Sequence, residues 1–257
     1  VASTVTGLIQ RLEEVRIGAD GRGIFRGQPR GNKRLAWVFS GQGSQWSGMG
    51  RMFVHSEPAF RAAVVRCDEA LRPYLGWSVL DEILAGCPRV AADQIHVMWP
   101  VLFAFHVGLA RLLQEFGVEP AVIVGHSIGE VSAAHVAGAL SLDDAARVIA
   151  HQSRLVQKSV GKGIMLLAAI GWDESEPIAA SSNGRIHRAI AASPKTTVFS
   201  GDAAALTALG AQFASRGIFN RSVQTGAAVH GPQMEYLVDE LPRQLIGLRP
   251  RTARIPI

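Results

Sequence analysis

The sequence predicts an α/β fold, and three observations lead to that prediction. A short apolar strand at 121–124 runs into a Gly-His-Ser-Ile-Gly turn at 125–129, and a helical pattern follows. Residues 163–224 alternate as β-α-β-β-α-β, which is the order of a ferredoxin-like unit. The 257 residues are 48% hydrophobic and 18% charged, a composition that can fill the core of one large or two small domains.

The first 162 residues are predicted to form helices around two short strands. Apolar residues at helical spacing predict a helix over 3–15, and a stretch rich in Gly, Arg and Asp predicts a linker over 17–34. Next come a strand at 35–39, a helix from an N-cap at Ser56 to about Pro73, and a helix over 97–116 that Gly117 ends. Ser141 and Asp144 form a capping box that opens a helix to about Lys158.

The pattern changes after residue 162. Strands are predicted at 164–170, 187–192, 196–200 and 218–223, with helices at 173–181 and 203–216. A helix follows from Pro232, and a new strand starts at 254–257. We therefore expect an N-terminal helix and linker at 1–34, a large subdomain from 35–162 and 225–257, and a small subdomain at 163–224.

Composition and charge exclude several classes of protein. There is no run of about 18 apolar residues and no signal-peptide pattern at the N-terminus, so neither a membrane span nor secretion is expected. Cys67 and Cys87 are too few for a disulfide framework, and no Cys/His spacing suggests a metal site. The net charge of +5 is not patterned for nucleic acid, and it favours an acidic protein or a phosphorylated ligand. A reduced, cytoplasmic protein is expected.

The turn at 125–129 fits the pattern G-x-S-x-G between a strand and a helix. Its serine, Ser127, sits on a sharp and strained turn, so flanking side chains must be absent for the hydroxyl to stand clear. The N-terminus of the following helix presents free N–H groups to developing negative charge. Ser127 is therefore a candidate nucleophile.

Three strings carry a resemblance to a known family: G-Q-G-S-Q at 41–45, G-H-S-I-G-E at 125–130, and A-V-H-G-P-Q-M at 228–234. From about residue 35 to its end the chain resembles the acyltransferase domains of modular polyketide synthases, and it is similar to malonyl-CoA:carrier-protein transacylases. The resemblance implies an α/β-hydrolase-like large subdomain with an inserted ferredoxin-like small one.

The resemblance also implies a mechanism. Ser127 would attack the thioester of an acyl-CoA, with His230 as its general base. The backbone N–H groups of Gln42 and Ile128 would form the oxyanion hole. The acyl group would then pass to the phosphopantetheine thiol of an acyl carrier protein within the same synthase, with no cofactor bound to the chain itself. His126 is expected to have a packing role, and the other histidines are expected to be surface or core residues.

The chain departs from the family at the position that binds a substrate carboxylate. Acyltransferases that load malonyl-type units carry an arginine at the first position of an Arg-Ser-Arg string, and here that string is Gln152-Ser153-Arg154. Arg154 lies two residues further along the helix, rotated by about 200°, so it is predicted to point away. We therefore expect uncharged starter acyl groups, as in the loading acyltransferases of erythromycin- or avermectin-type synthases.

Further departures favour a less polar pocket. Trp99 stands where the family usually has a glutamine, and Ala192 where it has an asparagine. The residues before the histidine, Ala227, Ala228 and Val229, match neither extender signature and suggest room for a short, branched acyl chain such as propionyl, isobutyryl or 2-methylbutyryl.

Alternatives remain open at this point: an extender-loading acyltransferase, a serine thioesterase or hydrolase built on the same turn, and a non-catalytic docking module. The family segment that orients the histidine would follow residue 257, so no orienting group for His230 can be assigned from the sequence.

Overall fold

The computed structural model describes residues 2, 4–19, 21, 23–26, 34–91, 93–223 and 226–257. The chain divides into two compact units, Val1–Arg34 and Leu35–Ile257. The first unit contains helix α1 (Val5–Arg16), whose N-cap, Thr4, accepts a hydrogen bond from the Gly7 backbone at 3.1 Å. The helix predicted at 3–15 is therefore present. Part of the predicted linker, 20, 22 and 27–33, lies outside the described residues.

The second unit begins with a parallel pair of strands and a set of helices. Strand β1 (Ala36–Phe39) pairs with β2 (Val122–Gly125), so that Phe39 lies opposite Gly125. The helices are α2 (Arg51–Ser56), α3 (Pro58–Leu75), α4 (Val79–Leu84), α5 (Ile95–Glu115), α6 (Gly129–Val136) and α7 (Leu142–Gln157).

Helix α5 is the centre of this part of the fold. Fifteen of its residues are buried, and α3 and α7 pack against it. By length and composition α5 could cross a membrane, contrary to the expectation from the sequence, but 83% of its most apolar window is buried inside the protein. That burial is typical of a core helix, whose apolar surface is covered by neighbouring helices.

The following segment forms a four-stranded antiparallel sheet. Its strands are β3 (Ile164–Ala168), β4 (Ile186–Ser193), β5 (Thr196–Gly201) and β6 (Asn220–Val223), in the order β4-β5-β3-β6. Helices α8 (Trp172–Ala180) and α9 (Ala203–Ser215) connect them, and Phe199 and Phe213 anchor a separate apolar cluster. This is the ferredoxin-like order, and the predicted α/β fold class is confirmed.

The chain then returns to the helices of the large part. A short 3₁₀ turn (Pro232–Met234) leads into α10 (Tyr236–Gln244), which packs on α7. Near the C-terminus the Ile123 amide donates to the Pro256 carbonyl at 2.8 Å, so the last residues run beside β2.

Three local predictions were wrong. The strand predicted at 254–257 does not form, since these residues have no regular secondary structure. Ser56 does not cap the helix that reaches the Pro73 region, because it ends α2 and Glu57 adopts extended backbone (φ −116°, ψ 100°). Pro58 then starts α3, since proline fits the first helical position. Strand β2 is parallel, as predicted, but is not buried on both faces: Ile123 is buried and Val124 is 48% exposed, because helices cover one side of this sheet.

Candidate active site

Ser127 sits on the turn between β2 and α6, and its backbone is left-handed (φ 53°). The two glycines of the motif allow this turn to pack against its surroundings. A Cβ on Gly125 would lie 2.3 Å from the Glu130 Cα atom, and a Cβ on Gly129 would lie 2.2 Å from the Phe39 carbonyl oxygen. Because neither approach is possible for a side chain, the sequence at 125–129 determines the strained position of the serine.

The fold brings Ser127 to His230, a residue 103 positions further along the chain. The distance between Ser127 Oγ and His230 Nε2 is 3.0 Å. With the ring proton on Nδ1, the hydroxyl donates to Nε2, which is the geometry of a nucleophile and its base. The backbone of His230 is also left-handed (φ 58°), so both members of the pair are held in uncommon conformations.

Burial and charge favour the neutral form of His230. Desolvation of the ring lowers the pKa of His230 below its ordinary value, the neighbouring His126 lowers it further, and Glu130 acts in the opposite direction. A neutral imidazole can accept a proton at neutral pH, as a general base requires.

The turn after β1 lies directly against Ser127. A Cβ on Gly41 would come within 3.3 Å of the Ser127 Cβ and 2.9 Å of His126 Nδ1. Gln42 follows Gly41, and its Oε1 accepts a hydrogen bond from Trp99 Nε1 at 3.1 Å. Ile128 caps α6, so its backbone N–H precedes the helical hydrogen-bond ladder. Gln42 thus follows a residue that packs on Ser127, and Ile128 follows Ser127 itself.

A cavity of about 680 Å³ opens beside this pair. Eight of the ten residues predicted for the site line it: Gln42, Trp99, Ser127, Ile128, Gln152, Ala192, Val229 and His230. Most of the remaining wall is apolar and comes from α7, from the ferredoxin-like sheet and from the last helices: Val156, Met165, Leu167, Ile190, Val198, Val223, Met234 and Leu237.

Ala227 and Ala228 do not line the cavity, contrary to the expectation that they shape it. Both are fully buried. Ala227 belongs to the main apolar core, and the Ala228 methyl packs close to Gly163, where an added Cβ would lie 2.8 Å away. Their small size therefore allows the chain to pass through the core rather than making room for an acyl group, and Val229 alone of the three faces the cavity.

Gln152 and Arg154 point in different directions from α7, as the rotation of about 200° between them requires. Gln152 faces the cavity, whereas Arg154 donates from Nη1 to the Tyr74 carbonyl at 3.1 Å on an exposed surface. Among the described residues, no lysine or arginine lines the cavity, and Glu130 is the one carboxylate in its wall.

Sequence reasoning missed several wall residues. Glu130 lies three positions after Ser127, so the helical repeat of α6 could have indicated it. Met165 and Leu167 face the cavity while Leu166 and Ala168 face the apolar cluster under the sheet, which is the period of two expected for a strand. His126 lines the cavity in addition to packing against Gly41.

The described part of the chain offers no cluster of three or more His, Cys, Asp or Glu side chains that could hold a metal ion. The chemistry available at the site is that of the serine, the histidine and the backbone donors around them. Together with the adjoining cavity, they can form and release an ester on Ser127.

Comparison with known proteins agrees with this chemistry. Residues 36–257 match the family model described as acyl transferase domain. The chain is 38% identical to the polyketide synthase GfsB of Streptomyces halstedii, over 97% of this chain and 4% of that protein. It is 37% identical to the erythronolide synthase EryA2 of Saccharopolyspora erythraea, over 99% of this chain and 7% of that protein. The chain thus spans a small part of these relatives.

Two solved structures are similar to this chain. The acyltransferase domain from module 8 of the salinomycin polyketide synthase has a TM-score of 0.91 and 37% identity, over 99% of this chain and 60% of that one. A loading acyltransferase from the avermectin modular polyketide synthase has a TM-score of 0.80 and 36% identity, over 86% of this chain and 70% of that one. The chain is an acyltransferase, and it belongs to the acyl transferase domain family in the form found in modular polyketide synthases.

Proposed function

We propose that the chain is a loading acyltransferase of polyketide biosynthesis. It transfers a short, branched, uncharged starter acyl group from an acyl-CoA, through an ester on Ser127, to the phosphopantetheine thiol of an acyl carrier protein. The observation that carries this proposal is the wall beside Ser127, where Gln152 stands at the arginine position of carboxylate-binding relatives and no described lining residue is a cation.

In the first half-reaction, Ser127 Oγ attacks the thioester carbonyl carbon while His230 Nε2 takes the hydroxyl proton. The oxygen that becomes negative is stabilised by the backbone N–H groups of Gln42 and Ile128, each typically worth about 3–4 kcal/mol. The C–S bond breaks, and the coenzyme A sulfur leaves as a thiol with the proton from His230. An acyl ester on Ser127 remains.

In the second half-reaction, the carrier-protein thiol gives its proton to His230 and its sulfur attacks the ester carbonyl. The C–O bond to Ser127 breaks, and His230 returns the proton to Oγ. The same base and the same oxyanion donors serve both halves, so ping-pong kinetics are expected.

Charge decides between starter and extender substrates in this proposal. A buried carboxylate that lacks its partner costs about 3–5 kcal/mol, roughly a hundred- to several-thousand-fold in binding. Gln152 can offer amide hydrogen bonds but no charge. Malonyl and methylmalonyl groups are therefore expected to be poor substrates.

The size and polarity of the wall support a short chain. Trp99 is buried and donates its indole N–H to Gln42, so it presents an apolar ring to the cavity. Ala192 and Val229 add small and branched apolar surface. One methylene is worth about 1–3 kcal/mol of discrimination, so a tolerant pocket is expected.

Organisation and partners are part of the proposal. We propose that 35–162 with 225–257 form the large subdomain and 163–224 the small one, supported by the separate sheet and apolar cluster of the latter. The net charge of +5 suits an acidic carrier protein and the phosphates of coenzyme A. Other domains of the same synthase and a cytoplasmic location follow from this role.

The second candidate is an extender acyltransferase. The similarity to an acyltransferase domain from a later module, module 8 of the salinomycin synthase, favours it. The two candidates differ in the charge of the acyl group, and Gln152 is the residue that separates them.

The first prediction follows from that difference. Wild type is incubated with propionyl-, isobutyryl-, 2-methylbutyryl-, malonyl- and methylmalonyl-CoA, and acyl-Ser127 is scored by intact-protein mass, with S127A as the blank. Monocarboxylic groups are expected to load, and Gln152→Arg is expected to raise methylmalonyl loading at least tenfold, because it restores a cation.

Arg154→Gln is the matched control, since Arg154 bonds the Tyr74 carbonyl outside the cavity, and its selectivity should equal that of wild type. Loading of wild type by methylmalonyl-CoA as fast as by isobutyryl-CoA, with no effect of Gln152→Arg, would establish the extender candidate instead. Release of free acid as fast as transfer, with carrier protein present, would establish a hydrolase.

A further inference from the structure

The side-chain amide of Gln152 has no hydrogen bond to the protein among the described residues. Its Oε1 is buried and accepts nothing. Two other side-chain oxygens in the described part of the chain share this condition, Ser200 Oγ and Gln233 Oε1, but neither residue lines the cavity beside Ser127. Among the described residues that line the acyl pocket, Gln152 thus carries the buried side-chain oxygen that has no partner.

No described residue donates a hydrogen bond to Gln152 Oε1. Val156 lies one helical turn further along α7, on the same face, and lines the cavity with it. Gln42 accepts a hydrogen bond from Trp99, and Ser127 and His230 are hydrogen-bonded to each other. A purely alkyl acyl chain would cover the Gln152 amide without satisfying it, and an unsatisfied buried acceptor is costly.

The chemistry of an amide defines what would satisfy it. A glutamine side chain has a donor end and an acceptor end, and hydrogen-bond partners normally fix which end faces which way. An acyl group that displaces water from this amide must replace the hydrogen bonds that water would make with it. A hydroxyl both donates and accepts, a carboxylate only accepts, and a methyl group does neither.

We propose that the acyl group carried by Ser127 bears an uncharged hydroxyl that hydrogen-bonds to the Gln152 amide. The substrate class is then a short hydroxyacyl thioester, with the hydroxyl where a branched alkyl chain would have a methyl group. This inference rests on the proposed loading function and narrows its substrate. It also agrees with the described wall of the cavity, which contains no lysine or arginine to bind a carboxylate.

Two pairs of thioesters test the inference, because each replaces one methyl group by a hydroxyl: lactyl-CoA against isobutyryl-CoA, and 3-hydroxybutyryl-CoA against isovaleryl-CoA, with both enantiomers of each hydroxyacyl group. The measurement is kcat/KM for transfer to pantetheine. A site that bonds a substrate hydroxyl rejects the analogue without it. In wild type, at least one hydroxyacyl thioester should exceed its alkyl partner about tenfold.

Gln152→Met keeps the length of the side chain and removes its hydrogen bonds, so the preference should vanish or reverse in favour of the alkyl member. Gln212→Met makes the same change on an exposed face of α9 and should leave the preference unchanged. If Gln152→Met fails to fold, as judged by circular dichroism, the wild-type ratios decide alone.

The outcomes separate this inference from the proposed function. Alkyl thioesters preferred in both pairs, with methylmalonyl-CoA still poor, would overturn the hydroxyl inference and keep the loading function. Methylmalonyl-CoA preferred over every uncharged thioester would overturn the loading function itself. A preference for hydroxyacyl groups that persists in Gln152→Met would also overturn the inference, since another group would then read the hydroxyl.

Discussion

At the scale of single residues, catalysis depends on two side chains held by uncommon backbone conformations. Ser127 and His230 both have positive φ, at 53° and 58°, and their reacting atoms are 3.0 Å apart. Such conformations cost about 1–3 kcal/mol each and persist only where the surroundings enforce them. At Ser127 the enforcement comes from Gly129, which allows α6 to approach the Phe39 carbonyl.

The pKa of His230 predicts the pH dependence of acylation. Because burial and His126 lower this pKa, the base is neutral at pH 7, and activity should be lost only as pH falls through a value below the ordinary 6.5 of histidine. Glu130 raises this pKa, so Glu130→Gln should move the acid limb of kcat/KM to still lower pH.

The measurement is kcat/KM for acyl-CoA against pH for wild type and Glu130→Gln. Glu115→Gln, an exposed carboxylate on α5, is the control and should not move the limb. A limb that shifts to higher pH in Glu130→Gln would contradict the assignment of His230 as the base.

At the scale of secondary-structure elements, α7 connects folding to selectivity. It begins after its N-cap residue, Ser141, and it presents Gln152 to the cavity. Arg154 lies on the opposite side of the helix, against the Tyr74 carbonyl. The rotation of about 100° per residue, together with the packing of α7 on α3 and α5, therefore determines which of these two residues the acyl group meets.

The N-cap of α7 is expected to contribute to the free energy of unfolding. Ser141 Oγ accepts a hydrogen bond from the Asp144 backbone N–H at 3.0 Å. Ser141→Ala removes this acceptor and should lower the free energy of unfolding by about 1 kcal/mol. Urea unfolding at pH 7 measures it. Ser141→Asp, which keeps a cap acceptor, should stay near wild type, and an equal loss in both variants would contradict the capping role.

At the scale of the whole molecule, the site lies between two differently built parts. The turn that carries Ser127, the turn that carries Gln42 and helix α7 belong to the helical part around α5. Met165, Leu167 and Ala192 belong to the ferredoxin-like sheet. The wall of the acyl pocket is thus shared, and the stability of both parts supports the site.

The interior predicts how stability changes with pH. His106 is buried between Ser132 Oγ and Ser40 Oγ, and desolvation lowers the pKa of His106 to about 4. Its neutral form is favoured by folding, so this contribution is present above pH 6.5 and is lost as pH falls toward 4. His106 alone should lower the free energy of unfolding by about 2 kcal/mol between pH 7 and pH 5.

Urea unfolding of wild type and His106→Gln at both pH values measures this loss. The variant should be less stable at pH 7 and should lose less on acidification. His135 and His151, whose pKa values burial also lowers, add losses in the same direction and persist in both proteins. An equal loss in wild type and variant would contradict the role of His106.

Much of this protein was predictable from local patterns. Strand β2, the glycines around Ser127, the capped start of α7 and the β-α-β-β-α-β order all follow from periodicity and steric rules acting over a few residues. The rotation between Gln152 and Arg154 follows from helix geometry alone. The break between α2 and α3 at Glu57 was not predictable from local patterns. Ser56 and Pro58 are both acceptable near a helix start, so only packing selects the boundary.

The contacts between side chains of the site could not be predicted without the tertiary structure. Each contact of the site joins residues from separate elements. Examples are the pair Ser127 and His230 and the hydrogen bond from Trp99 to Gln42. Glu130 and Met165 also come from separate elements to line the cavity. The burial of Ala227 and Ala228 was undetermined for the same reason, because a small apolar residue suits a pocket wall and a tight core equally well. The helices, the strands and the turn that holds Ser127 depend on neighbours in the chain, so local patterns predict them. The shape and polarity of the acyl pocket depend on how these elements pack together, which no local pattern contains.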